Sequence, residues 1–242
     1  MEEMLTKKEK RQLAKEEKRR ESQKASIAKQ IRNWSIGLLI VGVLVFGGYR
    51  AWKWASTPVE TVDVQEVLGV TDTDWVKGNP EAQITIVEYA DYQCSACALS
   101  QPLVKRVVEE YSENVKVVYR HFPLVNIHSN AFNAAKASEA AGLQDKFWEM
   151  HDMLYEKQDE WSEERNAKDK FFGYAENLEL DIEKFKSDFD SSEVKERVEK
   201  DLFDGQRLGV SGTPTFYMNG EKLSGIKGFD DFASRINELL GN

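Results

Sequence analysis

Cys94-Ser95-Ala96-Cys97 holds both cysteines of the 242-residue chain. Two thiols with two residues between them are close enough to close and reopen a disulfide. They could also be half of a metal site, or simply two small apolar residues one helical turn apart. Zinc would need two further ligands, and His121, His128 and His151 offer no close-spaced partner. The neighbouring sequence sets the local environment. Ile84–Tyr89 (ITIVEY) is a β-branched apolar run and reads as a buried strand. After the cysteines, Leu99, Leu103 and Val107 repeat at helical spacing, so a helix is expected from the cysteines to about Tyr111. The pair therefore sits where a strand becomes a helix. Free N–H groups and the helix dipole there stabilise an anion and lower the pKa of the first thiol. The thiolate is the nucleophile. The second cysteine, one turn in, can attack a mixed disulfide.

Glu88 lies six residues before Cys94, inside the strand that reads as buried. A buried carboxyl must be paired or else stay protonated near neutrality. Asp91 and Tyr92 frame the site and are assigned no chemistry, and the three histidines read as packing or capping residues.

The elements that position these groups follow in order. Val115–His121 is a second buried strand, giving a βαβ unit and a parallel pair. From Ser129 to Leu208 the pattern is helical, with the alanines of 131–141 and an apolar set at Phe147, His151 and Leu154. Strand character returns at Pro214–Met218, and Asn219-Gly220 joins it to Glu221–Leu223 as a hairpin. An amphipathic helix from about Asp230 to Leu240 closes the chain. Residues 56–74 read as a linker with a short strand at Val62–Val67.

The net charge of −9 conceals a split. Residues 1–32 carry +5, Arg50 and Lys53 add +2, and residues 54–242 carry −16. An acidic body argues against nucleic-acid binding. No residue from Asn33 to Tyr49 is charged. That stretch is about 25 Å of helix, slightly short of the bilayer core, and the flanks make up the difference: Arg32, Arg50 and Lys53 can snorkel, and Trp34, Tyr49, Trp52 and Trp54 suit the interface. The basic excess before the span places the N-terminus in the cytoplasm and the body outside, where disulfides persist. A cleaved signal peptide is the alternative. Against it, the leader is long, and Ala55-Ser56-Thr57 is followed by Pro58, a poor place to cut.

Taken in order, several segments resemble the DsbA-like thiol:disulfide oxidoreductases of the thioredoxin superfamily. They are Gly78-Asn79-Pro80 with Ile84–Cys97, Arg120–Leu124, Phe147–His151 and Val210–Phe216. The resemblance implies an α/β thioredoxin fold with an all-helical insertion, here preceded by a single N-terminal transmembrane helix. The expected domains are a basic cytoplasmic tail (1–32), an anchor (33–54), a linker (55–74) and a DsbA-like domain (75–242) with its insertion at about 128–208. The resemblance also implies a cis Pro214 facing the cysteines, with the Thr213 backbone free to pair with an extended substrate. Glu88 would accept the proton of Cys97. Ala96 departs from the pattern, because many strong oxidants of this family carry His there. The expected function is an extracytoplasmic oxidase that introduces disulfides into exported proteins through Cys94 and Cys97. It would need no metal or organic cofactor and would be reoxidised by a membrane quinone-linked partner. The alternatives are a reductase or isomerase, and a tethered non-enzymatic chaperone.

Overall fold

A computed structural model of the chain describes residues 7–56 and 62–241. Residues 1–6 of the basic tail and 57–61 of the expected linker lie outside the described residues. The chain divides into two compact units, Met1–Thr61 and Val62–Asn242.

The first unit holds one helix, α1 (Lys7–Ala55), which runs without a break from the basic leader through the apolar stretch. Its segment Lys18–Trp54 is long and apolar enough to cross a membrane, and the apolar window within it is not buried.

The second unit is a five-stranded sheet covered by helices. Its strands are β1 (Trp75–Gly78), β2 (Ile84–Ala90), β3 (Val115–His121), β4 (Thr215–Met218) and β5 (Glu221–Lys222), in the spatial order β1-β3-β2-β4-β5. The expected parallel pair is β2 on β3, and every other pairing is antiparallel. Between β2 and β3 runs α3 (Ser95–Glu110), and α10 (Phe229–Leu240) follows the hairpin. Alternate residues of a strand face opposite sides of a sheet. Ile84 and Ile86 pack with Val104, Val107 and Phe232 on the side of α3 and α10. Val87 and Tyr89 pack with Phe122 and Val210 on the other side. Glu88 shares the face of Ile84 and Ile86.

Six helices lie between β3 and β4: α4 (Ala131–Gly142), α5 (Phe147–Glu156), α6 (Gln158–Trp161), α7 (Lys168–Asn177), α8 (Ile182–Phe189) and α9 (Ser192–Arg207). The expected all-helical insertion is these six. The alanines of α4 let neighbouring helices close in around a core of Phe147, Trp161, Phe171 and Phe185. On α9, a Cβ at Gly205 would stand 2.6 Å from the Phe122 ring, so glycine permits this helix its close seat against the sheet.

Two elements differ from expectation. The strand expected at Val62–Val67 is instead a helix, α2 (Val64–Leu68). Asp63 caps it, its Oδ1 accepting from the N–H groups of Gln65 (2.9 Å) and Glu66 (3.2 Å), which stabilises a first helical turn. β1 was not expected at all: four residues ending in glycine are too few to show alternation.

Both elements are held by a buried ion network. Arg120 of β3 is 1% exposed and grips Asp74 with two nitrogens (3.1 and 3.0 Å). It also donates to the carbonyls of Val67 and Gly69, at the end of α2. Arg197 of α9 reaches Asp74 at 3.4 Å and pairs with Asp201, which accepts the N–H of His121 at 3.0 Å. Removing one partner of a buried pair leaves an uncompensated charge. Asp74→Ala should therefore cost about 3–5 kcal/mol in urea unfolding, with an unchanged m-value. A loss within about 1 kcal/mol would show that Arg120 is satisfied by the carbonyls alone.

Candidate active site

Cys94 is the N-cap of α3, with extended backbone (φ −76°, ψ 120°) and no side-chain cap to compete for the first N–H groups. Its thiol is half-buried, while Cys97, one turn on, is buried within the insertion's apolar cluster. Both are free thiols. Across the site, the Thr213–Pro214 bond is cis, and the Thr213 carbonyl lies 3.5 Å from the Cys94 sulfur as acceptor of the S–H. The fold thus brings together residues 119 positions apart.

The electrostatics separate the two thiols. The Cys94 pKa falls to about 5, chiefly because the Cys97 thiol donates to its sulfur. Burial opposes this, and Thr213 and the N–H groups of Cys97 and Ala96 add to it. The Thr213 hydroxyl is buried with no partner in the structure, so it is free to turn toward the thiolate. Cys97 moves the other way: burial pushes its pKa far up, and donation to Cys94 holds its proton in place.

Glu88 is 1% exposed and its carboxylate accepts from Gln101 Nε2 at 3.0 Å. Burial pushes its pKa up to about 7, with Gln101 and Ser100 holding it from rising further. Its charge also raises the Cys97 pKa, so the two groups are within electrostatic reach. One side of Glu88 lines a cavity of about 380 Å³ between α3 and α5, whose wall includes Ala98, Gln101, Trp148, His151 and Asp152. A separate groove of about 370 Å³ runs beside Ala96, Leu99, Pro214, Phe216 and Ile226. Leu99 is exposed at its rim.

Two amide side chains, Gln158 and Gln93, tie the insertion to the cysteine loop, and nothing in their local sequence marks them out. Gln158 Nε2 donates to the carbonyls of Tyr92 (2.6 Å) and Cys94 (3.1 Å). Gln93 donates to the Ser162 carbonyl (2.6 Å) and accepts the N–H of Asn130 (2.8 Å). Asn130 in turn donates to the Glu164 carbonyl at 2.7 Å. The histidines each meet a carboxylate: His121 with Glu139 (2.8 Å), His128 with Asp91 (2.7 Å) and His151 with Asp152 (2.9 Å). Among the described residues, no group of three or more His, Cys, Asp or Glu side chains is arranged to hold a metal ion.

Known proteins share this fold. The fold matches alpha-DsbA1 of Wolbachia pipientis with a TM-score of 0.66 at 22% identity, over 74% of this chain and 96% of that one. It matches oxidised BdbD of Bacillus subtilis with a TM-score of 0.62 at 25% identity, over 69% and 92%. In sequence, the chain is 39% identical over 169 residues to the Na(+)/H(+) antiporter NhaA 1 of Salinispora arenicola, covering 70% of this chain and 25% of that protein. It is 37% identical over 213 residues to NhaA 1 of Mycobacterium sp. strain KMS, covering 84% and 33%. The chain thus spans a quarter to a third of the length of these curated relatives. The fold, with its paired thiols, is the thioredoxin-like fold of DsbA-type thiol–disulfide exchange proteins. A family model described as thioredoxin matches residues 70–238, and the chain belongs to that family.

Two predictions follow from these shifts. Alkylation by iodoacetamide tracks the thiolate. With Cys94 at about 5, its rate should be flat above pH 6.5 and fall about tenfold per pH unit below 5. Cys97 should stay unlabelled in the folded protein, and equal labelling of the two would contradict the assignment.

Glu88 gives a stability effect. Below pH 4.5 its carboxyl is protonated in both folded and unfolded chains. As pH rises toward about 7, the unfolded chain ionises first, so the contribution favouring the fold is lost through that window. Above pH 8 the loss amounts to about 3 kcal/mol. Glu88→Gln should match the parent in urea unfolding at pH 4 and exceed it by about that amount at pH 8. A difference that does not change with pH would mean Glu88 ionises at its ordinary value.

Proposed function

We propose that the protein is a membrane-anchored thiol:disulfide oxidase acting on exported proteins, with Cys94 as the exchanging thiol. The supporting observation is the asymmetry of the pair. A thiol held at about 5 beside a buried one held protonated stabilises the reduced site, and that makes its disulfide a good oxidant. A low-pKa thiol is also the better leaving group, so it departs readily once a substrate disulfide has formed.

In the oxidising half-reaction, a substrate thiolate attacks the Cys94 sulfur. The Cys94–Cys97 bond breaks, and the electron pair leaves on Cys97, which takes the Glu88 proton. A second substrate thiolate then attacks the substrate sulfur of the mixed disulfide and expels the Cys94 thiolate. The substrate gains one disulfide and the enzyme holds the two electrons as a dithiol. In reoxidation the Cys94 thiolate attacks a partner disulfide. Glu88 then takes the Cys97 proton, and Cys97 resolves the mixed species. A membrane quinone-linked protein is the partner this cycle calls for. An extended substrate segment would lie along Thr213 by strand addition, its side chains entering the groove at Leu99 and Pro214. Residues 33–54 anchor the chain, with the tail 1–32 cytoplasmic and the domain 75–242 outside.

Thiol trapping tests the direction. In intact cells Cys94 and Cys97 should be mostly oxidised, and Cys97→Ala should accumulate mixed disulfides through Cys94. A mostly reduced pair would make the protein a reductase or isomerase. Full cellular function in the Cys94→Ser/Cys97→Ser double variant would make it a tethered chaperone.

A further inference from the structure

Asp91 follows β2 directly and is buried. Its backbone touches both cysteines: its carbonyl accepts the Cys94 N–H at 3.1 Å, and its own N–H is directed at the Cys97 sulfur. Its carboxylate is gripped by three donors, the N–H of Gln93 (2.7 Å), the N–H of Leu124 (2.8 Å) and Nδ1 of His128 (2.7 Å). Leu124 and His128 lie in the segment after β3, with the His128 side chain one-fifth exposed. One carboxylate therefore locks the cysteine loop to a second loop, and the backbone it locks is the backbone that touches the reacting sulfurs.

We propose that Asp91 and His128 form a positioning pair that holds the dithiol in the geometry favouring the Cys94 thiolate. This rests on the exchange function proposed above. A buried carboxylate has to keep its donors, so the three contacts act together. Without the His128 donor the carboxylate is under-satisfied and the 91–94 loop relaxes. The Cys97 thiol then donates less well to the Cys94 sulfur. The largest influences on Cys94 are Cys97, burial, Thr213 and Ala96, and Asp91 meets the site through its backbone and its grip on the two loops, which is the part of an anchor.

The test titrates the Cys94 thiolate by ultraviolet absorbance and equilibrates the pair with a glutathione series. It compares the full-length parent with His128→Ala, His128→Asn and Asp91→Asn, each checked for folding by thermal melting. Asn at 128 keeps a donor near the place of Nδ1, and Ala removes it. In His128→Ala and Asp91→Asn the Cys94 titration should move up by about one pH unit. The glutathione equilibrium should shift about tenfold toward the disulfide, a potential lower by about 30 mV. His128→Asn should stay within about twofold of the parent. If all three variants keep the parent's titration and equilibrium, the pair is structural and the proposal fails. If Asp91→Asn moves the titration down, the carboxylate acts as a charge and the proposal also fails. Should His128→Ala not fold, Asp91→Asn decides alone. A parent that does not exchange with glutathione defeats the exchange function itself. A parent that exchanges beside unchanged variants defeats only the pair.

Discussion

The structure turns on one charge, the Cys94 thiolate, held half out of water at the start of a helix. A sulfur anion there needs donors, and they come from two parts of the chain. Cys97 and Ala96 supply the first N–H groups of α3, Cys97 supplies its thiol, and Thr213, in the loop before β4, offers its hydroxyl. A helix start alone accounts for the smaller share. The largest contribution is the neighbouring thiol, which can donate because burial keeps its proton on the sulfur.

That requirement explains why the insertion is built as it is. Its apolar cluster encloses Cys97 and so keeps that thiol protonated. Its polar side chains do a different task. Gln158 spends its hydrogen bonds on the cysteine loop, and Asn130 spends its own on the backbone of 161–167, where these groups would otherwise be buried without partners. The sheet sets the register of the rest: Glu88 stands opposite Tyr119 on one side and Phe216 on the other, facing the same helix that carries the thiols.

Much of this could be read from the chain because it is local. β2 and β3 are β-branched runs, the hairpin carries Asn-Gly, and the cysteines sit at a strand–helix junction. The burial of Glu88 followed from its place in a strand. Thr213 and Pro214 carry no local signal of their site and came through resemblance. β1 and α2 were hidden because they are short and are held by Arg120 and Asp74, whose partners lie far away in sequence. Gln158, Asn130 and the Asp91–His128 contact were hidden for the same reason. A polar side chain that serves a distant backbone leaves no period and no motif.

The cavity at Glu88 and the groove at Pro214 lie on different sides of α3. A protein docked in the groove would cover the sulfur without sealing the cavity. Electrons would then pass through one doorway and protons through the other, so a bulky client need not let go before the buried thiol settles its charge. A client's bulk would then bear on the sulfur alone and leave the route of the Cys97 proton open.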